Sequence, residues 1–154
     1  MLNKLKQRKE AGFTIVEVMI VLAIAGLIIL VVFLAVPALQ RNSRNTQRNN
    51  DASLVGAGVN ECLNNRNGQS TSCDGWTATE LQQYIDTSKL RQLTTVAAST
   101  SMPADTTSVN IAFGRVCTAD GSAPSTTGAN SRSVALLFNT ENTSGGNVPR
   151  CQEI

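Results

Sequence analysis

The chain has 154 residues, enough for one globular domain at most, with thirteen Lys and Arg, eleven Asp and Glu, and no histidine. The formal charge of +2 includes Lys4, Lys6, Arg8, Lys9 and Glu10, and everything from Phe13 onward carries nine basic against ten acidic side chains. So even a balance gives no electrostatic call to nucleic acid or anionic lipid, and the cysteine spacing, with no CxxC pair, does not match a zinc site.

A short basic head, MLNKLKQRKEAG, opens the chain and an apolar run follows at once. The 22 residues Val18–Leu39 carry no formal charge. As helix they extend roughly 33 Å at 1.5 Å per residue, enough to cross the hydrocarbon core of a bilayer. A secretory signal peptide cut near Ala23-Ile24-Ala25 would leave apolar helix dangling from a secreted domain. A plain signal anchor fits the length equally well.

Glu17 separates these readings. A carboxylate in a spanning segment costs about 2.5–3.5 kcal/mol on insertion scales, so it needs a job and a partner. No Lys, Arg or His lies between Phe13 and Gln40 to serve. A cut between Gly12 and Phe13 would create an α-amine one helical turn away, a cation in the same apolar layer. That amine could pair with Glu17 of its own subunit or of a neighbour, and the helix dipole favours an anion in the first turn.

The run Lys9-Glu10-Ala11-Gly12-Phe13-Thr14-Ile15-Val16-Glu17-Val18-Met19-Ile20 resembles the processing and methylation motif of type IVa prepilins and type II secretion pseudopilins. The resemblance implies an α+β pilin fold, a long N-terminal helix packed on a small antiparallel sheet. It implies that a membrane-embedded prepilin peptidase cuts after Gly12 and methylates Phe13, and that Glu17 steers assembly. The leader would be 1–12, the transmembrane and assembly helix 13–39, its amphipathic continuation 40–65 and the globular head 66–154. The chain is then a substrate of that chemistry and not its catalyst. The implied partners are further copies in a helical filament, the peptidase, a membrane assembly platform and, before assembly, the lipid bilayer. The implied location is the cytoplasmic membrane for the precursor and the extracellular pilus afterwards.

One departure concerns the helix breakers. Relatives place a proline near where Leu34 stands, whereas this chain has Pro37, with Gly26 as the only other breaker in the span. Such residues cost about 3 and 1 kcal/mol in a helix interior. In the family the segment between them can lose helicity as filaments form. Basic residues on both flanks, the head on one side and Arg41, Arg44 and Arg48 on the other, leave the positive-inside rule weak here.

Beyond Pro37, Ala52, Val55, Val59, Cys62 and Leu63 recur at helical spacing, one stripe to lay on a sheet. Arg41, Arg44 and Arg48 read as a solvated face in preference to a site for phosphate or a neighbour's carboxylate. Asn67-Gly68 signals a turn, so the helix ends near Asn64-Asn65. Thr77-Ala78-Thr79-Glu80 fits a capping box and predicts a short helix near 78–86. Leu90–Val96 is a candidate first strand. Val109, Ile111 and Phe113 alternate, and a phase slip before Val116 makes Gly114 a candidate bulge. Val134, Leu136 and Phe138 alternate again, and Val148–Ile154 predicts an edge strand weakened by Pro149.

Four cysteines allow three pairings, of which Cys62–Cys73 with Cys117–Cys151 is preferred. The first would staple the helix end to the connecting region, and the second would tie the C-terminus to the sheet. A cystine closing the C-terminal loop also resembles the pilin family. Other function classes find little support. In the head, Trp76 and Tyr84 are the only rings offered for stacking on DNA outside the expected strands, so nucleic acid is not an expected partner. A minor pilin or a secretion or competence pseudopilin remains the alternative. Many such pseudopilins hold calcium near the C-terminus, and Glu141 and Glu153 alone do not make that site. No nucleophile elbow, phosphate loop or spaced carboxylate pair points to an enzyme, and no cofactor is expected. Asn142-Thr143-Ser144 matches a glycosylation sequon.

Overall fold

The computed structural model describes residues 12–77 and 80–154. The basic head before Gly12, with most of the expected leader, lies outside the described residues, as do Ala78 and Thr79 of the expected capping box. One helix, α1 (Ile15–Asn65), continues through both Gly26 and Pro37. The chain forms two compact units, the first ending at Leu39 and the second spanning Gln40–Ile154.

In the first unit every residue from Gly12 to Leu39 is exposed. Among the described residues α1 is the one helix long and apolar enough to cross a membrane. A surface apolar all round has no partner among the described residues of its own unit, and it needs lipid or other helices to cover it.

In the second unit α1 closes where the turn signal places its end. Asn67 and Gly68 both take positive φ, 55° and 75°, and the Gly68 N–H returns to the Leu63 carbonyl at 2.6 Å. That six-to-one bond with a left-handed residue before it is a Schellman-type stop. Six strands follow: β1 (Thr95–Ala98), β2 (Ser108–Phe113), β3 (Val116–Cys117), β4 (Pro124–Ser125), β5 (Val134–Glu141) and β6 (Asn147–Glu153). The main sheet has the order β1-β2-β5-β6, and β3 pairs with β4 in a separate ribbon.

The α1 stripe of Ala52, Val55, Val59, Cys62 and Leu63 is buried in one cluster with Ile111, Leu136 and Phe138 of the sheet. Ile111 stands opposite Leu136, and Val109 opposite Phe138, so the alternating positions of β2 and β5 share this face. The other face has a smaller cluster of Ala112, Ala135 and Leu137, packed against Met102, Cys117 and Cys151. Side-chain amides hold the chain across that second face. Asn110 donates to the Ser101 carbonyl at 2.8 Å, and Asn139 to those of Pro103 and Asp105 at 2.7 and 2.9 Å. Both faces of β5 are therefore covered, which is why its run from Val134 to Thr140 is buried without alternation.

The structure corrects four local expectations. The sheet is mixed, because β1 runs parallel to β2 while β2, β5 and β6 pair antiparallel. Residues 99–107 make a crossover over the amide-tied face, where a tight hairpin would have given an antiparallel pair. The first strand starts at Thr95 and not Leu90, because the backbone N–H groups of Arg91, Gln92 and Leu93 all donate to the Asp51 carboxylate and cannot enter a ladder. In place of a helix near 78–86, the described residues 80–84 form turns, and a 3-10 turn (Thr87–Lys89) follows with Asp86 as its cap. This stretch lies hard against α1: a Cβ at Gly58 would stand 2.7 Å from the Tyr84 carbonyl oxygen. Gly114 is not a bulge. At φ +64° its N–H bonds the Ser133 carbonyl at 2.8 Å, and the chain leaves the main sheet for the β3–β4 ribbon.

That ribbon docks on the edge strand β6. The Cys151 N–H donates to the Gly121 carbonyl at 2.8 Å, and the Cys117 N–H to the Glu153 carboxylate at 2.7 Å. A disulfide joins Cys117 to Cys151. Pro149, two residues before Cys151 on the same outward parity, has no N–H to offer.

Candidate functional site

Gly12, Phe13 and Thr14 precede the helix in non-helical backbone, and Phe13 is 88 % exposed. Among the described residues nothing crowds Gly12, where an added Cβ would meet no atom within 4 Å.

Thr14 caps α1. Its hydroxyl oxygen accepts the Glu17 N–H at 3.2 Å, while Glu17 Oε2 accepts both the Thr14 N–H and the Thr14 hydroxyl at 2.8 Å. This reciprocal arrangement is a capping box, which satisfies donors left free at a helix start. The sequence signal is Thr14-x-x-Glu17, which a reading fixed on charge and hydropathy passes over. Both bonds to the carboxylate go to Oε2, and among the described residues nothing donates to Oε1. The carboxylate is therefore held at the helix start, one turn from Phe13, with acceptor capacity to spare.

The three arginines after the span do not behave as one solvated face. Arg48 is buried, and its Nη2 meets Glu141 Oε1 at 2.6 Å. Arg44 reaches both Glu141 oxygens, Nη2 to Oε2 at 2.6 Å and Nε to Oε1 at 3.3 Å. Asn45 stitches the same junction, taking the Glu141 N–H and donating to its carbonyl, each at 2.9 Å. Arg48 also donates to the Thr106 carbonyl and to Asn45 Oδ1 at 2.9 Å. The last residue of β5 is thereby clamped to α1. No local pattern in the sequence links residues 97 positions apart. Arg41 stays outside the clamp.

Hydrogen bonds from Arg44 and then Arg48 hold the Glu141 carboxyl down at about 2, from an ordinary 4.5. Glu141 likewise raises the Arg44 guanidinium. A carboxyl depressed on folding adds stability above its unfolded value and loses it as pH falls through the folded one. The contribution is about 2 kcal/mol after allowing for Arg44, whose side chain is 42 % exposed. We expect it to fade between pH 4.5 and about 2. Acid titration of Trp76 fluorescence checks this, and a Glu141→Gln chain should show a shallower loss across that window.

Both disulfides, Cys62–Cys73 and Cys117–Cys151, lie in the second unit, and Cys62 and Cys73 are fully buried. The first ties the last turn of α1 to the segment after it. Gly26 and Pro37 sit within α1 in the first unit, both exposed.

Residues 7–33 match the family model of the prokaryotic N-terminal methylation motif, which is the type IV prepilin signature. Neither curated proteins nor solved structures give a match to the chain.

Proposed function

We propose that this chain, a precursor of the pilin-like or pseudopilin kind carrying the type IV prepilin signature at residues 7–33, matures into the structural subunit of a type IV pilus. In this reading prepilin peptidase removes residues 1–12, Phe13 becomes the N-methylated terminus, and residues 13–39 wait in the cytoplasmic membrane. A platform in that membrane then extracts the helix, and packed helices of neighbouring copies replace lipid around it. Residues 40–65 continue the helix into the head, 66–154, which faces the outside once the filament emerges.

The observation that carries the reading is the coincidence of the motif with a carboxylate fixed at the start of an otherwise apolar helix. Glu17 is the sole charge in the segment and stands one turn from the amine that cleavage would create. Each stranded charge is costly in an apolar layer, so pairing selects the register in which amine and carboxylate meet.

The test is intact mass and N-terminal sequence of material sheared from the cell surface. A chain beginning at N-methyl-Phe13, lighter by four hydrogen atoms for its two disulfides, is the expected result. Recovery only from membranes, beginning at Met1 or inside the apolar run, would overturn the filament reading. A correctly processed chain that never reaches sheared material would assign it to a secretion or competence apparatus instead.

A further inference from the structure

Three arginines follow the apolar run, and Glu141 accounts for two of them. Arg44 and Arg48 both close on its carboxylate, whose two oxygens already accept three guanidinium bonds. Arg41 is the third. Seven residues before Arg48, it lies on nearly the same side of α1, turned toward the head and half-buried. Among the described residues it makes no hydrogen bond and no ion pair. The next carboxylate in this neighbourhood is Asp105, beside the Thr106 carbonyl that Arg48 reaches. Its oxygens are taken by Thr107 and Ser108. The start of the second unit therefore holds more guanidinium charge than its own carboxylates offset.

A half-buried guanidinium has lost part of its water without gaining a protein partner, so an anion that reaches it is bound more firmly than on an open surface. Position says which anion. Arg41 stands two residues after Leu39, the last of the uncharged run, which is about 3 Å along a helix. The headgroup layer outside the hydrocarbon core is about 5–7 Å deep on each side of a bilayer. With residues 13–39 in the membrane, the side chain at 41 falls among lipid phosphates, and its apolar stem suits that boundary. A guanidinium meets a phosphate through two parallel N–H···O bonds, which an ammonium cannot reproduce.

We propose that Arg41 binds the phosphate of a phospholipid headgroup while the chain resides in the membrane. The proposal rests on the reading of residues 13–39 as a membrane span. It gives the three arginines two separate tasks: Arg44 and Arg48 fasten the end of β5 to α1, and Arg41 fastens the end of the span to the lipid surface.

Solid-state NMR of the full chain tests this in vesicles of phosphatidylethanolamine and phosphatidylglycerol, with arginine isotopically labelled at Cζ. Dephasing of the Cζ signal by lipid phosphorus reports a guanidinium in contact with phosphate. Other arginines, Arg8 among them, add to the signal of the parent chain, so the readout is the difference between the parent and Arg41→Gln. The expected result is a dephased component in the parent that Arg41→Gln loses, while Trp76 fluorescence shows the same unfolding curve for both chains. Equal dephasing in the two chains would overturn the proposal. So would the same component in vesicles of digalactosyl diacylglycerol, which has no phosphate, with inorganic phosphate in the buffer, because the site would then take the free ion. Failure of the span reading shows separately, as a parent chain that does not float with the vesicles, and the proposal falls with it. A parent chain that floats without the component overturns the proposal alone.

Discussion

An Asp51→Ala chain is expected to lose about 4 kcal/mol or more of head stability, a large part of what a domain of this size has. Asp51 is fully buried on α1, and its Oδ2 accepts the backbone N–H groups of Arg91, Gln92 and Leu93. Its Oδ1 accepts the Gln47 amide at 2.9 Å. Burial pushes this carboxyl up, but the Gln92, Leu93 and Arg91 N–H groups and the Gln47 amide outweigh it and hold the group below its ordinary value. Alanine would strand three backbone donors at once, each worth about 1–3 kcal/mol when left unpaired inside a protein. Urea unfolding followed by Trp76 fluorescence measures the loss, since Trp76 packs on the core. Asp51→Asn should fall between the two, keeping an acceptor but not the charge. A loss below about 1 kcal/mol for the alanine chain would mean that the 91–93 segment finds other acceptors.

How much of this was legible in the sequence follows from how far each partner lies along the chain. The buried stripe from Ala52 to Leu63 is visible because a helix repeats every 3.6 residues, and β2 and β5 because strands repeat every two. The stop at Asn67-Gly68 is visible because left-handed backbone favours those residue types. Asp51 and Glu141 carry no such mark. Their partners are 40 and 97 residues away in the chain, and a carboxylate that organises a loop looks like one that faces water. The displaced first strand follows directly, since the N–H groups of Arg91, Gln92 and Leu93 belong to Asp51 and that of Leu90 to the Thr87 carbonyl. At the N-terminus the charge and the cleavage motif are legible together. The Thr14 cap is equally local, and only the structure draws attention to it.

Glu17→Ala is expected to leave cleavage intact and to lower filament yield about a hundredfold. The estimate takes about 2.5–3.5 kcal/mol for a charge stranded in an apolar layer, with 1.4 kcal/mol to each factor of ten. Two effects are lost together in that variant, the charge and half of the capping box. Glu17→Gln separates them, because a glutamine at that position still completes the box with Thr14. If the charge selects register, the Gln chain should assemble as poorly as the Ala chain. Filaments at parental yield from the Gln chain would show that the cap and not the charge is what assembly needs. Quantifying processed subunit in membrane and sheared fractions of both variants distinguishes these results.

The docked ribbon on β6 has an effect on what the chain avoids. An open strand edge invites any other exposed strand to add to it. Along this edge Pro149 removes one donor and Gly121 occupies the next, so a stray strand finds no continuous ladder to extend. The cover is fastened by the Cys117–Cys151 bond, which means that oxidation locks the edge. A chain that meets reductant would regain a sticky edge before it lost its core, and its failure would show first as disordered clumping and not as unfolding.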